Sequence, residues 1–136
     1  MSAFDYAKLR RELSWEAAGR ELGLSAHGTV NLAEICVDRH ADGPQGGKLA
    51  LIHENHDGDL RRFTYRDLKD LTNGWARFLS GAGIRNLDRV CLFLERVPEL
   101  YIGFMGVLKA GAIVEPLFSA FGEDALYARM EDSGAV

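Results

Sequence analysis

The sequence predicts an α/β fold, a mostly parallel sheet with helices on both faces, and three observations carry the prediction. Val90-Cys-Leu-Phe-Leu94 is a continuous apolar run without alternation, the pattern of a strand covered on both faces. Helical periodicity flanks it, in Leu68, Leu71, Trp75, Phe78, Leu79 and Ala82 before and from Pro98 to Ala110 after. From residue 49 onward strands and helices alternate, an order that implies right-handed crossovers between parallel strands.

Taken in order, the first 40 residues read as polar and helical. Ser14 is placed to cap a helix from Trp15 to Leu22, and Asn31 to cap one from Leu32 to about His40. Glu34 stands three residues after Asn31, as a capping box requires, and Leu32, Ile35 and Cys36 would form that helix's inner face. Asp42-Gly-Pro-Gln-Gly-Gly-Lys48 breaks regular structure and predicts a surface loop. Leu49 to Asn55 and Arg62 to Tyr65 read as two strands of a hairpin, with Asp57-Gly58 in the turn. Thr64 is then placed to cap the next helix with Asp67 at its third position, and Gly81 and Gly83 to end it.

Pro98 suits the first turn of a further helix that stops at Gly111. Ile113-Val-Glu-Pro-Leu117 predicts a short strand, and Asp124 to Asp132 a last helix. Ala135-Val136 reads as the opening of another strand, so the sheet is expected to be unfinished within this sequence. The division expected is a helical extension and loop over 1–48 and the first part of a larger α/β domain over 49–136.

The chain has 136 residues, 47% apolar and 26% charged, which suits a soluble globular domain with an ordinary core. A net charge of −4 with both signs interspersed offers no basic stripe for nucleic acid and no polybasic membrane anchor. The N-terminus lacks a signal-peptide core and no stretch could span a bilayer, so a cytoplasmic protein is expected. Cys36 and Cys91 sit in apolar patterns and read as buried, reduced thiols.

Gly103, Gly106 and Gly111 lack phosphate-loop spacing and fall within or at the end of a helix, where they would let it lie close to the sheet. Lys109 follows no glycine-rich loop. His53-Glu-Asn-His56 places its histidines three apart on a strand and turn, whereas a zinc-protease motif needs them four apart on a helix; His27 and His40 add no pattern. Ser14, Ser25, Ser80, Ser119 and Ser133 show no nucleophile-elbow context. Glu12, Asp67, Asp70, Glu131 and Asp132 occupy helix caps, faces and ends, but Glu115 interrupts an apolar strand and predicts a salt-bridge partner.

Phe118-Ser-Ala-Phe-Gly122 is the best candidate for a site. It leaves the carboxyl end of a parallel strand, where ligands bind in open α/β sheets. Two aromatics with small residues between them could hold an adenine ring; the alternative is that both are core.

Several segments together resemble the AMP-forming acyl-CoA synthetases, in particular the acetyl-CoA synthetase branch of the adenylate-forming superfamily. They are Leu13-Ser-Trp15, Cys36 to His40, Phe63-Thr-Tyr65, Asp88-Arg-Val90, Arg96 to Tyr101, Gly106 to Ala112, Pro116-Leu-Phe118 and Ala120-Phe-Gly122. The resemblance implies that this is the start of a large AMP-binding domain. It implies a two-step ligation using ATP, magnesium and coenzyme A, with acetate as the first choice of acid and propionate or another short acid next. It also implies that Ser119, Ala120, Phe121 and Gly122 lie near the nucleotide end of coenzyme A. The Ser/Thr/Gly-rich phosphate loop, the adenine and ribose motif, the acyl pocket and the catalytic lysine of such enzymes are absent from these residues, so this portion alone is expected to make no adenylate. A self-contained, flavodoxin-like binding module without catalysis is the alternative of another class, and would need a phosphate or flavin loop.

Overall fold

A computed structural model describes residues 5–24 and 29–136. Ser25 and His27, considered above, lie outside the described residues. The chain divides into two compact units, 1–30 and 31–136. In the first, α1 (Tyr6–Glu12) is capped by Asp5, whose side chain accepts from Lys8 N–H, and α2 (Trp15–Glu21) by Ser14, whose hydroxyl accepts from Ala17 N–H. Neither helix buries a residue, and Trp15 is 91% exposed.

The second unit opens with Asn31, whose Oδ1 accepts from Ala33 N–H at 3.0 Å. The helix that follows is not a plain α-helix: Glu34–Asp38 is π-helical and passes into α3 (Arg39–Ala41). This changes the buried face. Ala33, Val37 and Ala41 are buried, while Leu32 and Cys36 are exposed and Ile35 is half-buried. A wider turn brings residues four apart into line, so a stripe spaced for 3.6 residues per turn misplaces the inner face. The expectation of a buried Cys36 fails for the same reason, and Cys91 is only half-buried; both thiols are free.

β1 (Leu49–Glu54) and β2 (Leu60–Thr64) form the expected antiparallel hairpin. Its turn depends on Asn55 as well as on Gly58 at φ 86°: Asn55 Oδ1 accepts from the N–H groups of Asp57 and Asp59. Thr64 then caps α4 (Tyr65–Gly81) in a reciprocal box with Asp67. α4 and α5 (Pro98–Lys109) each end in a Schellman motif on a left-handed glycine, Gly83 and Gly111. Ile84 N–H bonds back to Leu79 O, and Ala112 N–H to Val107 O.

β3 (Arg89–Phe93) and β4 (Ile113–Leu117) pair in parallel, with Val90 opposite Val114 and Cys91 opposite Glu115. The architecture is therefore α/β, with the hairpin and the parallel pair as two small sheets. Val90, Leu79, Val107 and Ala112 form the core, with Trp75, Ile84, Ala110 and Val114 against it. Only this face of β3 is closed. Phe93 and Ile113, on the other, are exposed, so the apolar run is not covered on both sides as its composition predicted.

α6 (Glu123–Ser133) returns the chain to the far edge of β3, where Val136 N–H donates to Arg89 O at 2.9 Å. Asp88 O, one residue earlier, accepts from Ile113 N–H of β4, and alternate carbonyls of a strand point to opposite sides. A right-handed connection running back past β3 assigns α6 to the sheet face opposite α5.

Two expectations about apolar residues are corrected by the α4–α5 contact. Leu71 and Phe78 lie outside it and are exposed, while the face that packs is Thr72, Trp75 and Leu79. Gly106 serves α4 and not the sheet: a Cβ there would meet Trp75 Cβ at 2.8 Å, whereas one at Gly103 would sit 3.5 Å from Leu92. Gly106→Ala is therefore expected to destabilise the protein by about 1–3 kcal/mol. Gly103→Ala should be neutral or slightly stabilising through helix propensity, and urea midpoints of the two variants check the contrast.

The capping box has a pH signature. The Thr64 hydroxyl, and then its backbone N–H, hold the Asp67 carboxyl below the usual 3.8. A depressed folded-state pKa gives stability that is present above the unfolded value and lost as pH falls through the folded one. The gap in melting temperature between the native protein and Asp67→Asn should be open at about pH 6 and narrow as the pH falls below the unfolded value and through the lower folded one.

Candidate functional site

The residues singled out in the sequence share one turn. β4 ends at Leu117, and Phe121 N–H donates to Phe118 O at 3.0 Å, closing Phe118 to Phe121 into a β-turn. Gly122 then serves as N-cap of α6 with an extended backbone. Ser119, Ala120 and Gly122 are exposed, Phe121 is half-buried and Phe118 is 61% exposed. The turn thus offers small residues and one open aromatic at the carboxyl end of a parallel strand.

Its geometry limits how the two rings could be used together. Phe118 and Phe121 meet edge to face, with centroids 5.8 Å apart and planes at 86°. A flat ring cannot be sandwiched between them, since that needs parallel rings roughly 7 Å apart, twice the ~3.4 Å base-stacking step. The Arg129 guanidinium lies 4.0 Å from the Phe121 centroid. Phe121 thus packs against both Phe118 and Arg129, while Phe118 stays open to solvent.

A buried polar cluster lies elsewhere, and sequence reasoning missed it. Lys109, 8% exposed, donates to Asp38 Oδ1 at 2.6 Å and to Asn73 Oδ1 at 2.7 Å. Asn31 Nδ2 reaches Leu108 O at 2.8 Å beside it. These residues, with Asp42 and Lys69 paired at 2.6 Å, line a cleft of about 480 Å³. Lys109 and Lys69 are committed to carboxylates of the neighbouring helical segment, so the cleft reads as a latch between elements and not as a ligand site. The one available signal was Lys109 itself, the single base of α5, at the end of a mostly apolar helix and 71 residues from its partner.

Among the described residues Glu115 makes no salt bridge, contrary to expectation, and its Oε2 is buried without a hydrogen-bond partner. Burial, and then the Glu115 charge opposite, push the Cys91 thiol up, which makes it a poor nucleophile. His53 and His56 do not converge, since His56 Nε2 turns to Asp57 at 3.0 Å while His53 Nδ1 is buried without a partner. Among the described residues no three His, Cys, Asp or Glu side chains gather to hold a metal ion. No helix among them is long and apolar enough to cross a membrane.

The arrangement of helices and strands is that of the adenylate-forming enzymes. A solved acyl-CoA synthetase from Brucella canis superimposes on 96% of this chain and 23% of its own, with a TM-score of 0.87 and 32% identity. The model of the AMP-binding enzyme family matches residues 37–136, and the chain belongs to that family. Among curated relatives, an acetyl-coenzyme A synthetase of Gemmatimonas aurantiaca is 39% identical over 79% of this chain and 16% of the relative. One from Bacillus subtilis is 35% identical over 96% of this chain and 23% of the relative. The chain thus spans about a fifth of the length of such proteins.

The latch makes an asymmetric prediction. Asp38→Ala strands a buried ammonium and should cost about 3–5 kcal/mol. Lys109→Met leaves Asp38, which is 23% exposed, able to hydrate, and should cost clearly less. Denaturation midpoints of the two variants decide it.

Proposed function

We propose that this chain is the N-terminal part of an AMP-forming acetate–CoA ligase, which makes acetyl-CoA from acetate, ATP and coenzyme A through acetyl-adenylate. The observation that carries the reading is the similarity to acetyl-coenzyme A synthetases along nearly the whole chain, together with the exposed turn at the end of β4. In the whole protein a carboxylate oxygen attacks the α-phosphorus of ATP, with magnesium bound, and pyrophosphate leaves. The coenzyme A thiol, losing its proton, then displaces AMP from the acyl carbon. The sequence of residues 1–136 contains no Ser/Thr/Gly-rich phosphate loop, and we expect this portion alone to make no adenylate.

Its own contribution is to coenzyme A. Ser119, Ala120, Phe121 and Gly122 border the nucleotide end of that ligand, with the adenine against Phe118. We divide the chain into a helical extension and loop over 1–48 and the first part of the large AMP-binding domain over 49–136, and place the protein in the cytoplasm.

The whole protein should catalyse acetate-dependent exchange of pyrophosphate into ATP without coenzyme A, and release AMP once coenzyme A is added. Absence of exchange with acetate, propionate and other short acids would sink the ligase reading. Phe118→Ala should raise the KM for coenzyme A roughly tenfold by loss of base stacking, with the exchange rate unchanged.

A further inference from the structure

α6 carries the acids Glu123, Asp124, Glu131 and Asp132 and a single base, Arg129. Among the described residues Arg129 pairs with none of these acids. It turns toward the helix N-terminus instead, where Nη1 donates to Ala125 O at 2.8 Å and the guanidinium lies over the Phe121 ring. Phe121 in turn sets its ring against Phe118. Of those acids only Asp132 stands three or four residues from Arg129, the spacing at which helix side chains pair, and the guanidinium covers a ring two turns back instead.

From this we infer that Arg129 is a positioning residue for coenzyme A, an inference that rests on the function proposed above. By covering Phe121 it fixes the turn in the shape where that ring meets Phe118 edge to face and Phe118 stands open. Without the guanidinium, Phe121 can swing across the face of Phe118 or out into solvent, and only a fraction of molecules keeps the binding-competent turn. Apparent affinity falls by that fraction.

The test uses the whole ligase and separates three quantities: exchange of pyrophosphate into ATP, kcat for AMP release, and KM for coenzyme A. Arg129→Ala should raise that KM roughly two- to fivefold, the worth of an exposed cation–π contact, and leave exchange and kcat unchanged. Arg129→Lys, which keeps a cation, should recover most of the loss, and Arg129→Gln should not. In a Phe121→Leu background Arg129→Ala should add nothing further, because its partner ring is already absent. An unchanged KM in Arg129→Ala, where Phe118→Ala still raises it, overturns this inference and leaves the proposed function intact. If neither variant moves the KM for coenzyme A, the coenzyme contact of the turn itself fails. A parallel fall in exchange, or equal effects of Arg129→Ala in both backgrounds, assigns Arg129 to general stability and overturns the positioning role.

Discussion

The contact on which the second unit depends is the close approach of α4 and α5, and it exists because residue 106 has no side chain. Trp75 fills the space that a side chain at residue 106 would need, and its indole N–H is buried without a partner. With the helices this near, Leu79 and Val107 reach Val90 and Ala112 in one core. The Schellman motif at Gly111 then returns the chain so that β4 can pair with β3, Leu87 N–H bonding to Gly111 O as it does so. Helix packing, helix end and sheet register are thus one linked arrangement.

A second layer is tied to this core by charge. The π-helical segment has few apolar residues to bury, Val37 being its one buried side chain. Asp38 supplies what packing does not, by meeting an ammonium that α5 has already taken out of water. Such a pair adds little net stability over an apolar replacement but strongly disfavours other placements of the segment. The wider π-turn fits this role, since it sets Val37 inward and its neighbour Asp38 toward Lys109.

What could be read from the sequence was what local chemistry decides. Ser14, Thr64 with Asp67, Pro98, Gly83 and Gly111 fix helix ends within a few residues, and the structure places them as their chemistry requires. Ile113–Leu117 emerges as the strand expected of it. Sequence periodicity failed where one apolar pattern admits more than one use. Leu71 and Phe78 extend the stripe of α4 but not its contact, Gly106 faces a helix instead of the sheet, and the π-turn moves the inner face by one residue. The Lys109 latch joins positions far apart in sequence, which no local rule connects.

The strand-end turn shows why a motif of two aromatics could be located from the sequence while the arrangement of its rings could not. Spacing alone places Phe118 and Phe121 at either side of a four-residue turn, and that is compatible with a sandwich, an edge contact or burial. The choice is made by α6, whose Gly122 cap fixes the direction in which the helix leaves and whose second turn delivers Arg129 back over Phe121. Because residues 121 and 129 are eight apart, the guanidinium reaches the ring only if the helix begins at Glu123 and remains regular through two turns. The shape of the turn is therefore set by a helix that follows it. The same α6 brings Val136 beside Arg89, so the element that orders the turn also ties it to the edge of the sheet.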